Sequence, residues 1–357
     1  MPERRPRNDP LRPIRAFIAF IRRLISRAPR AQPGHFAPGK RHSLQGTLAH
    51  FAFIAPGREY LLYVPRGYRP THPAPLLVWI HGCRQTPEQF AAGTRVARLA
   101  DEHGALVLLP RQSPIANFER CWNWFDPNTA LGEGEAAIVA AQIEQVAGGY
   151  SVDRDRIYVA GLSSGGGLAA VLALRAPQLF AAVAIHSGVA CGTAQSASSA
   201  RHALKLGPRR NPVPLARDAR AAAAHLGVLP VPALVIQGSA DALVAPVHAN
   251  FLVRQFLVFN GLPESALPPG HALPKPVRTR IVRNAQGHPH CAHDYAVGRS
   301  TVVRQIEIEG LAHAWSGGDG AHGYFDARAP DATQLIWQFL SEFAKARSAP
   351  ESRAAAP

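Results

Sequence analysis

The stretch Arg156-Ile157-Tyr158-Val159-Ala160-Gly161-Leu162-Ser163-Ser164-Gly165-Gly166-Gly167-Leu168-Ala169-Ala170 decides the fold, because three local patterns meet in it. Residues 156–160 form an apolar run of strand length, and residues 164–175 follow with the pattern of a helix. Between them stands Gly161-Leu162-Ser163-Ser164-Gly165, a G-x-S-x-G pentapeptide. Alone that pattern is weak. At a strand-to-helix junction it forms a tight turn that lifts the serine above the sheet. Glycines flank such a turn because it is strained and crowded, so that a side chain would clash. The helix N-terminus behind the serine favours developing negative charge. Of the two adjacent serines only Ser163 holds the central position, which makes it the candidate nucleophile. The competing reading is a glycine-rich turn without catalysis.

Outward from this turn, strand-like and helix-like stretches alternate. Apolar runs at 76–80, 105–109 and 156–160 are followed by helical patterns at 88–100, 133–146 and 164–175. Further strands are expected at 181–185, 233–236 and 303–308, with a closing helix over 331–346. Such alternation predicts an α/β protein whose mostly parallel central sheet carries helices on both faces. Two stretches break the rhythm, 191–229 (rich in Ala, Ser and Arg) and 262–298 (rich in Pro and His), and insertions of this kind serve as lids or pocket walls. The expected organisation is a basic arm and linker over 1–46, a catalytic domain over 47–346 and a disordered tail over 347–357.

A serine hydroxyl is a poor nucleophile until a histidine, itself oriented by an acid, takes its proton. With a turn of this kind the partners follow in the order serine, acid, histidine. Asp241 comes after the strand at 233–236 through Gln237-Gly238-Ser239-Ala240, which puts a carboxylate at the carboxyl edge of the sheet beside Ser163. A simple Asx turn is the alternative there. His313 stands just beyond the last strand, in Gly310-Leu311-Ala312-His313-Ala314-Trp315-Ser316-Gly317-Gly318. The chain has 16 histidines, so position selects the base: His81 and His186 end earlier strands, and His288, His290 and His293 lie in an insertion. An acyl-transfer site also needs backbone donors for the oxyanion. These are expected from the amide of Ser164, which follows the nucleophile, and from the loop His81-Gly82-Cys83-Arg84-Gln85, with Cys83 N–H as the choice.

The composition is that of a globular protein, with 47% hydrophobic and 18% charged residues, while 32 Pro and 30 Gly imply many loops. A net charge of +15 raises the question of nucleic acid, yet its distribution argues against it. Residues 1–30 hold nine arginines against Glu3 and Asp9, and the rest of the chain shows no basic stripe interleaved with stacking aromatics. Within that arm Ile14, Phe17, Ile18, Ile21, Leu24 and Ile25 share one helical face, with Arg15, Arg22 and Arg23 on the other. A basic amphipathic helix over 14–25 suits an anionic membrane surface or an apolar granule; packing on its own domain is the alternative. It is too short to span a bilayer and a poor secretory signal. The four cysteines fit two disulfides or four thiols, and their spacing argues against a zinc site.

Together these residues resemble the poly(3-hydroxybutyrate) depolymerase family of esterases, which is related to feruloyl and acetylxylan esterases. The resemblance rests on His81-Gly82-Cys83, Cys121-Trp122-Asn123-Trp124-Phe125, Gly161 to Gly166, Gln237 to Asp241 and Gly310 to Gly318, in that order along the chain. It implies an α/β-hydrolase fold, hydrolysis of carboxylic esters such as 3-hydroxybutyrate oligomers, no cofactor or metal, and an extracellular monomer. A cytoplasmic enzyme held at a membrane or granule is the alternative compartment, and a feruloyl or acetylxylan esterase, a peptidase or a binding protein are the alternative functions. The resemblance supports Ser163, Asp241 and His313 as a triad and Cys83 as an oxyanion donor. It further implies a Cys83–Cys121 disulfide, with Cys191 and Cys291 as weaker candidates for a second, and an aromatic wall from Trp122 and Trp124; Trp315, beside the histidine, is a third candidate substrate-binding residue. For the Trp122 and Trp124 pair ordinary core packing stays open. Ala312 departs from the family pattern, in which glycine is common before the histidine.

Overall fold

The computed structural model describes residues 33–39, 42–43, 57–225, 227, 231–283 and 286–345. The helix expected over 14–25, the domain start at Thr47 and the tail over 347–357 lie outside the described residues. Ten strands form one sheet: β1 (His35–Pro38), β2 (Tyr60–Val64), β3 (Ala74–Ile80), β4 (Leu106–Pro110), β5 (Val152–Leu162), β6 (Ala182–His186), β7 (Ala233–Gly238), β8 (Arg278–Val282), β9 (His290–Val297) and β10 (Ser300–Ile308). Their order across the sheet is β1-β2-β4-β3-β5-β6-β7-β10-β9-β8. The six central strands from β4 to β10 run parallel, and the outer pairs at both edges run antiparallel. The nucleophile strand β5 is thus third of the six, flanked on both sides by parallel neighbours.

Strand alternation builds two cores. Leu76, Val78 and Ile80 of β3 face one side, where they join helices α3 (Gly134–Gly149), α4 (Ser164–Arg175), α6 (Val213–His225) and α7 (Val247–Phe259). Leu77 and Trp79 face the other, against α1 (Pro87–Thr94), α2 (Val96–His103) and α8 (Ala332–Leu340). A parallel strand covered on both faces must be apolar throughout, and all seven residues of β3 are buried. Helix α5 (Ala197–Leu206) buries only Ala200 and Ala203 and sits at the carboxyl edge.

Several boundaries differ from the sequence reading. The helix expected over 88–100 is two, because Arg95 takes a left-handed conformation (φ 56°) and breaks it. The first of the pair ends where the ring of Phe325 occupies the space a side chain on Gly93 would need. The closing helix stops at Leu340 rather than 346. Within the stretch read as linker, β1 adds an edge strand, with Phe36 packed edge-on against Tyr63 (ring centroids 4.9 Å apart). The insertion over 262–298 is not a lid: β8 and β9 extend the sheet beyond β10. In the other insertion α5 forms a wall of the cavity described below.

Replacing Leu76, fully buried between β3 and the helices, by Ala should destabilise by about 2–5 kcal/mol because a cavity remains. Arg98→Ala, which removes an exposed ion pair with Glu102, should leave stability nearly unchanged. Urea unfolding of both variants checks the contrast.

Candidate active site

Three loops at the carboxyl ends of β3, β5 and β7, with a fourth after β10, bring the candidate residues together. Ser163 lies between the last residue of β5 and the first of α4 with φ 57° and ψ −119°, a strained conformation for a non-glycine residue. It persists because its surroundings leave no other. The Ser163 N–H donates to His186 O (2.9 Å), and Gly167 N–H donates to Ser163 O (2.9 Å). A side chain on Gly161 would strike Gly165 O, and one on Gly165 would strike the carbonyls of Ile80 and His81. The two flanking glycines therefore let α4 approach the strand ends at backbone distance.

Asp241 follows β7 and is buried, with a donor for each lone-pair direction. Its Oδ1 accepts from Leu243 N (3.0 Å) and Val244 N (2.8 Å). Its Oδ2 accepts from Gln237 Nε2 (3.0 Å) and His313 Nδ1 (2.7 Å). Burial pushes this carboxyl up, but the hydrogen bond and charge of His313 with the Val244 and Leu243 amides outweigh it and hold Asp241 below the usual carboxylate range. It therefore stays ionised and acceptor-only, which assigns the His313 proton to Nδ1 and turns Nε2 outward as the free ring nitrogen.

The outer face of His313 borders a cavity of about 420 Å³ that Ser163 also lines. Its floor is Gly82, Cys83, Leu162 and Ser164. Tyr324 stands edge-on to the His313 ring (6.2 Å, 81°). Asn117, Phe118, Glu119 and Trp124 line it as well, and so does one face of α5, whose Ala200 and Leu204 cluster with Trp124.

The loop after β3 is fixed by side chains. His81 is buried, its Nδ1 bonded to Gly82 O (2.7 Å) while Nε2 accepts from Gln112 N (3.3 Å). Gly82 N–H donates to Gln85 Oε1 (2.9 Å) and Arg84 N–H to Glu119 O (2.6 Å). Between them the Cys83 amide has no hydrogen-bond partner among the described residues, and neither has the Ser164 amide at the start of α4. Cys83 and Cys121 are joined by a disulfide. The Ser164 hydroxyl lies 3.4 Å from Cys83 Sγ and accepts the Trp122 N–H (3.3 Å), so this second serine is occupied in fastening the bridge to α4. Cys191 and Cys291 are free, and no second bridge joins them; Cys191 is buried with its thiol pushed up to about 11 by burial.

Behind the bridge, buried Glu135 binds Asn123 N (2.7 Å), Asn123 Nδ2 (2.9 Å) and Gln112 Nε2 (2.6 Å), with Arg58 3.7 Å away. Burial raises its pKa despite these donors. Gln112 Nε2 also reaches Cys121 O (2.9 Å), so one carboxylate anchors the 121–123 segment against the sheet.

Of the three tryptophans expected to bind substrate, only Trp124 faces the cavity with its side chain slightly exposed, lying over Gly167 of α4. Trp122 borders the cavity but its indole is wholly buried, donating to His81 O (3.1 Å). Trp315 must be corrected. It is fully buried among Trp79, Phe90 and His186, with its N–H on Thr333 Oγ1 (3.1 Å). The chain turns inward directly after His313, so the indole fills the core beneath the site and touches no solvent. His186, stacked on that indole, is held neutral: burial and then the nearby His313 charge lower its pKa to about 3. His288 bonds Asp326 (3.1 Å) and Glu309 O (2.8 Å) and lines no part of the cavity.

The α5 face lies within the insertion over 191–229 expected to serve as a lid or pocket wall, whereas sequence reasoning missed the roles of Gln237, Gln85 and Tyr324. Gln237 opens the quoted Gln-Gly-Ser-Ala-Asp segment, and its position four residues before the acid was the available signal. The others had none.

Among the described residues no cluster of His, Cys, Asp and Glu could hold a metal, and no helix is long and apolar enough to cross a membrane.

The family model for esterase PHB depolymerases matches residues 58–269. The chain is similar to poly(3-hydroxyalkanoate) depolymerase C of Paucimonas lemoignei, 30% identical over 242 residues, covering 67% of this chain and 55% of that protein. It is similar also to feruloyl esterase B of Neurospora crassa, 34% identical over 132 residues, covering 36% of this chain and 44% of that protein. The chain thus spans about half the length of these curated relatives. Among solved structures, the acetyl xylan esterase from Aspergillus awamori superposes with a TM-score of 0.63 at 19% identity, over 85% of this chain and 99% of that one, a likeness of the α/β-hydrolase fold.

Neutral burial of His186 and His81, the latter lowered to about 4 by burial, makes stability depend on pH. In the unfolded chain both take up a proton near pH 6.5, which the folded protein refuses until about pH 3–4. Stability should therefore be undiminished by these groups above pH 6.5 and fall as pH drops through that window, by up to about 1.4 kcal/mol per pH unit for each histidine. Urea midpoints at pH 7.5 and 5.0 measure the fall, and His186→Asn should reduce it.

Proposed function

From the premise that this chain belongs to the esterase PHB depolymerase family, we propose that it hydrolyses carboxylic esters through an acyl-enzyme on Ser163. The observation that carries this reading is the His313–Asp241 hydrogen bond (2.7 Å) on a cavity shared with the strained Ser163. In the proposed reaction His313 Nε2 takes the Ser163 proton as the hydroxyl oxygen attacks the ester carbonyl. Asp241 stabilises the resulting imidazolium. The Cys83 and Ser164 amides, unpartnered and on the cavity floor, receive the oxyanion. His313 then protonates the leaving oxygen as the carbon–oxygen bond breaks, the alcohol departs, and water deacylates Ser163 by the same path.

Short aliphatic esters and 3-hydroxybutyrate oligomers are the proposed substrates, supported by the name of the depolymerase relative and by a cavity lined in part by Phe118 and Trp124. Related feruloyl and acetylxylan esterases make those esters the second choice. An extracellular site of action is proposed from the Cys83–Cys121 bridge, since disulfides persist in oxidising compartments. The enzyme is proposed to act as a monomer, all its candidate groups coming from one chain.

Ser163→Ala should abolish turnover of p-nitrophenyl butyrate, and His313→Ala should lower kcat nearly as far, because members of such a unit do not act additively. Ser164→Ala should keep a substantial part of the activity, since its amide rather than its hydroxyl faces the oxyanion. A fluorophosphonate adduct mapped by mass spectrometry should fall on Ser163; an adduct on Ser164, or full activity in Ser163→Ala, would overturn the assignment.

Peptide mapping without reduction should recover Cys83 and Cys121 on one linked pair of peptides and leave Cys191 and Cys291 as thiols. Removing the bridge by Cys121→Ser should lower stability by about 3–4 kcal/mol in the chain-entropy account of a loop of 38 residues.

A further inference from the structure

Helix α5 forms a wall of the cavity and lines it with Ala197, Ala200, Arg201, Leu204 and Lys205. Arg201 and Lys205 are four residues apart, so they stand one above the other on that face. Both are exposed, and neither has a hydrogen-bond or ion-pair partner among the described residues. The other charges lining the cavity are already matched: Arg84 pairs with Glu119, and His313 with Asp241. The cavity that holds Ser163 therefore carries two cations with no counter-charge.

Building on the proposed hydrolase reading, we infer that Arg201 and Lys205 bind a carboxylate on the substrate, so that the enzyme prefers esters bearing a free acid group near the scissile bond. Two stacked cations beside the apolar Ala197, Ala200 and Leu204 let an aliphatic chain lie along α5 while its terminal carboxylate meets them. The free acid end of a short hydroxyacid oligomer has this form, its ester bond and carboxylate separated by one repeat. A neutral ester of the same length makes no such contact. Arginine supplies a planar fork for the two carboxylate oxygens, and lysine adds a point charge. Because the pair is exposed, the attraction is screened by salt and acts on binding rather than on the bond-breaking step.

The test compares acidic and neutral partners in two arms. One uses p-nitrophenyl hydrogen glutarate against p-nitrophenyl butyrate, with the carboxylate on the acyl side. The other uses 3-acetoxybutanoate against 3-acetoxybutanamide, with it on the alcohol side. In at least one arm the double variant Arg201→Gln/Lys205→Gln should lower the acidic-to-neutral ratio of kcat/KM about tenfold, through KM, while the charge-keeping exchange Arg201→Lys/Lys205→Arg retains most of it. Raising salt should lower the same ratio in the unmodified protein and barely move it in the double variant. A ratio unchanged within about twofold in both arms would overturn the inference. Calorimetric titration of the Ser163→Ala protein with monomethyl glutarate and with its amide measures carboxylate recognition without turnover. Preferential binding there that vanishes in the Arg201→Gln/Lys205→Gln background supports the inference even if no ester is hydrolysed, and equal binding of acid and amide overturns it.

Discussion

The close approach of α4 to the ends of β3 and β5 is the contact on which the rest of the molecule depends. Gly161 and Gly165 leave no space for a Cβ, one against Gly165 O and the other against the carbonyls of Ile80 and His81. Only that proximity lets the turn at Ser163 stay at φ 57° and brings the Gly82–Cys83 loop under the same serine. The position that would hold a Cβ on Gly82 lies 3.5 Å from Ser163 Cβ, so nucleophile and candidate oxyanion donors are set by one packing event. Strain of this kind survives because the surrounding sheet, buried on both faces, over-determines it.

Two buried carboxylates flank this contact and serve different ends. Asp241 accepts from two backbone amides, Gln237 and His313, and the hydrogen bond and charge of His313 with the two amides overcome burial, so its charge is retained. Glu135 accepts from Asn123 and Gln112 with Arg58 nearby, yet burial dominates and its pKa rises. The first orients an imidazole. The second holds the 121–123 segment, and through the disulfide it steadies Cys83 on the far side of the site. A buried polar network of this sort is useful only when its members are satisfied, since an orphaned charge there would be expensive.

The two irregular insertions show how little composition says about placement. Both lack the clean periodicity of the core elements, yet 262–298 ends in β8 and β9, which pair onto β10 and enlarge the sheet away from the site. The other folds α5 over the carboxyl edge, where its exposed Arg201 and Lys205 leave the cavity cationic. The cavity thus combines apolar lining from Phe118 and Trp124 with the positive charge of Arg201 and Lys205, and that charge belongs to the insertion rather than to the turn, acid and base.

Much of the architecture was legible because it is locally encoded. An apolar strand, a glycine-flanked serine and a helical pattern in 156–175 specify the elbow, and the apolar runs of β3, β4, β6, β7 and β10 specify a parallel sheet, since period and burial are properties of a single segment. Position in that order also singled out Asp241 and His313 from many candidates, and the two are hydrogen-bonded. What the sequence could not settle were contacts made across long separations. Trp315, beside His313 in the chain, turns into the core because Trp79, Phe90 and Thr333 receive it, and nothing local distinguishes an indole that faces substrate from one that faces those partners. The same holds for the Glu135 anchor, for Gln237 on Asp241 and for the cationic face of α5. Periodicity determines which side of an element is apolar; which neighbour that side meets, and which charges stay unpaired, was decided only when the sheet and its insertions packed together.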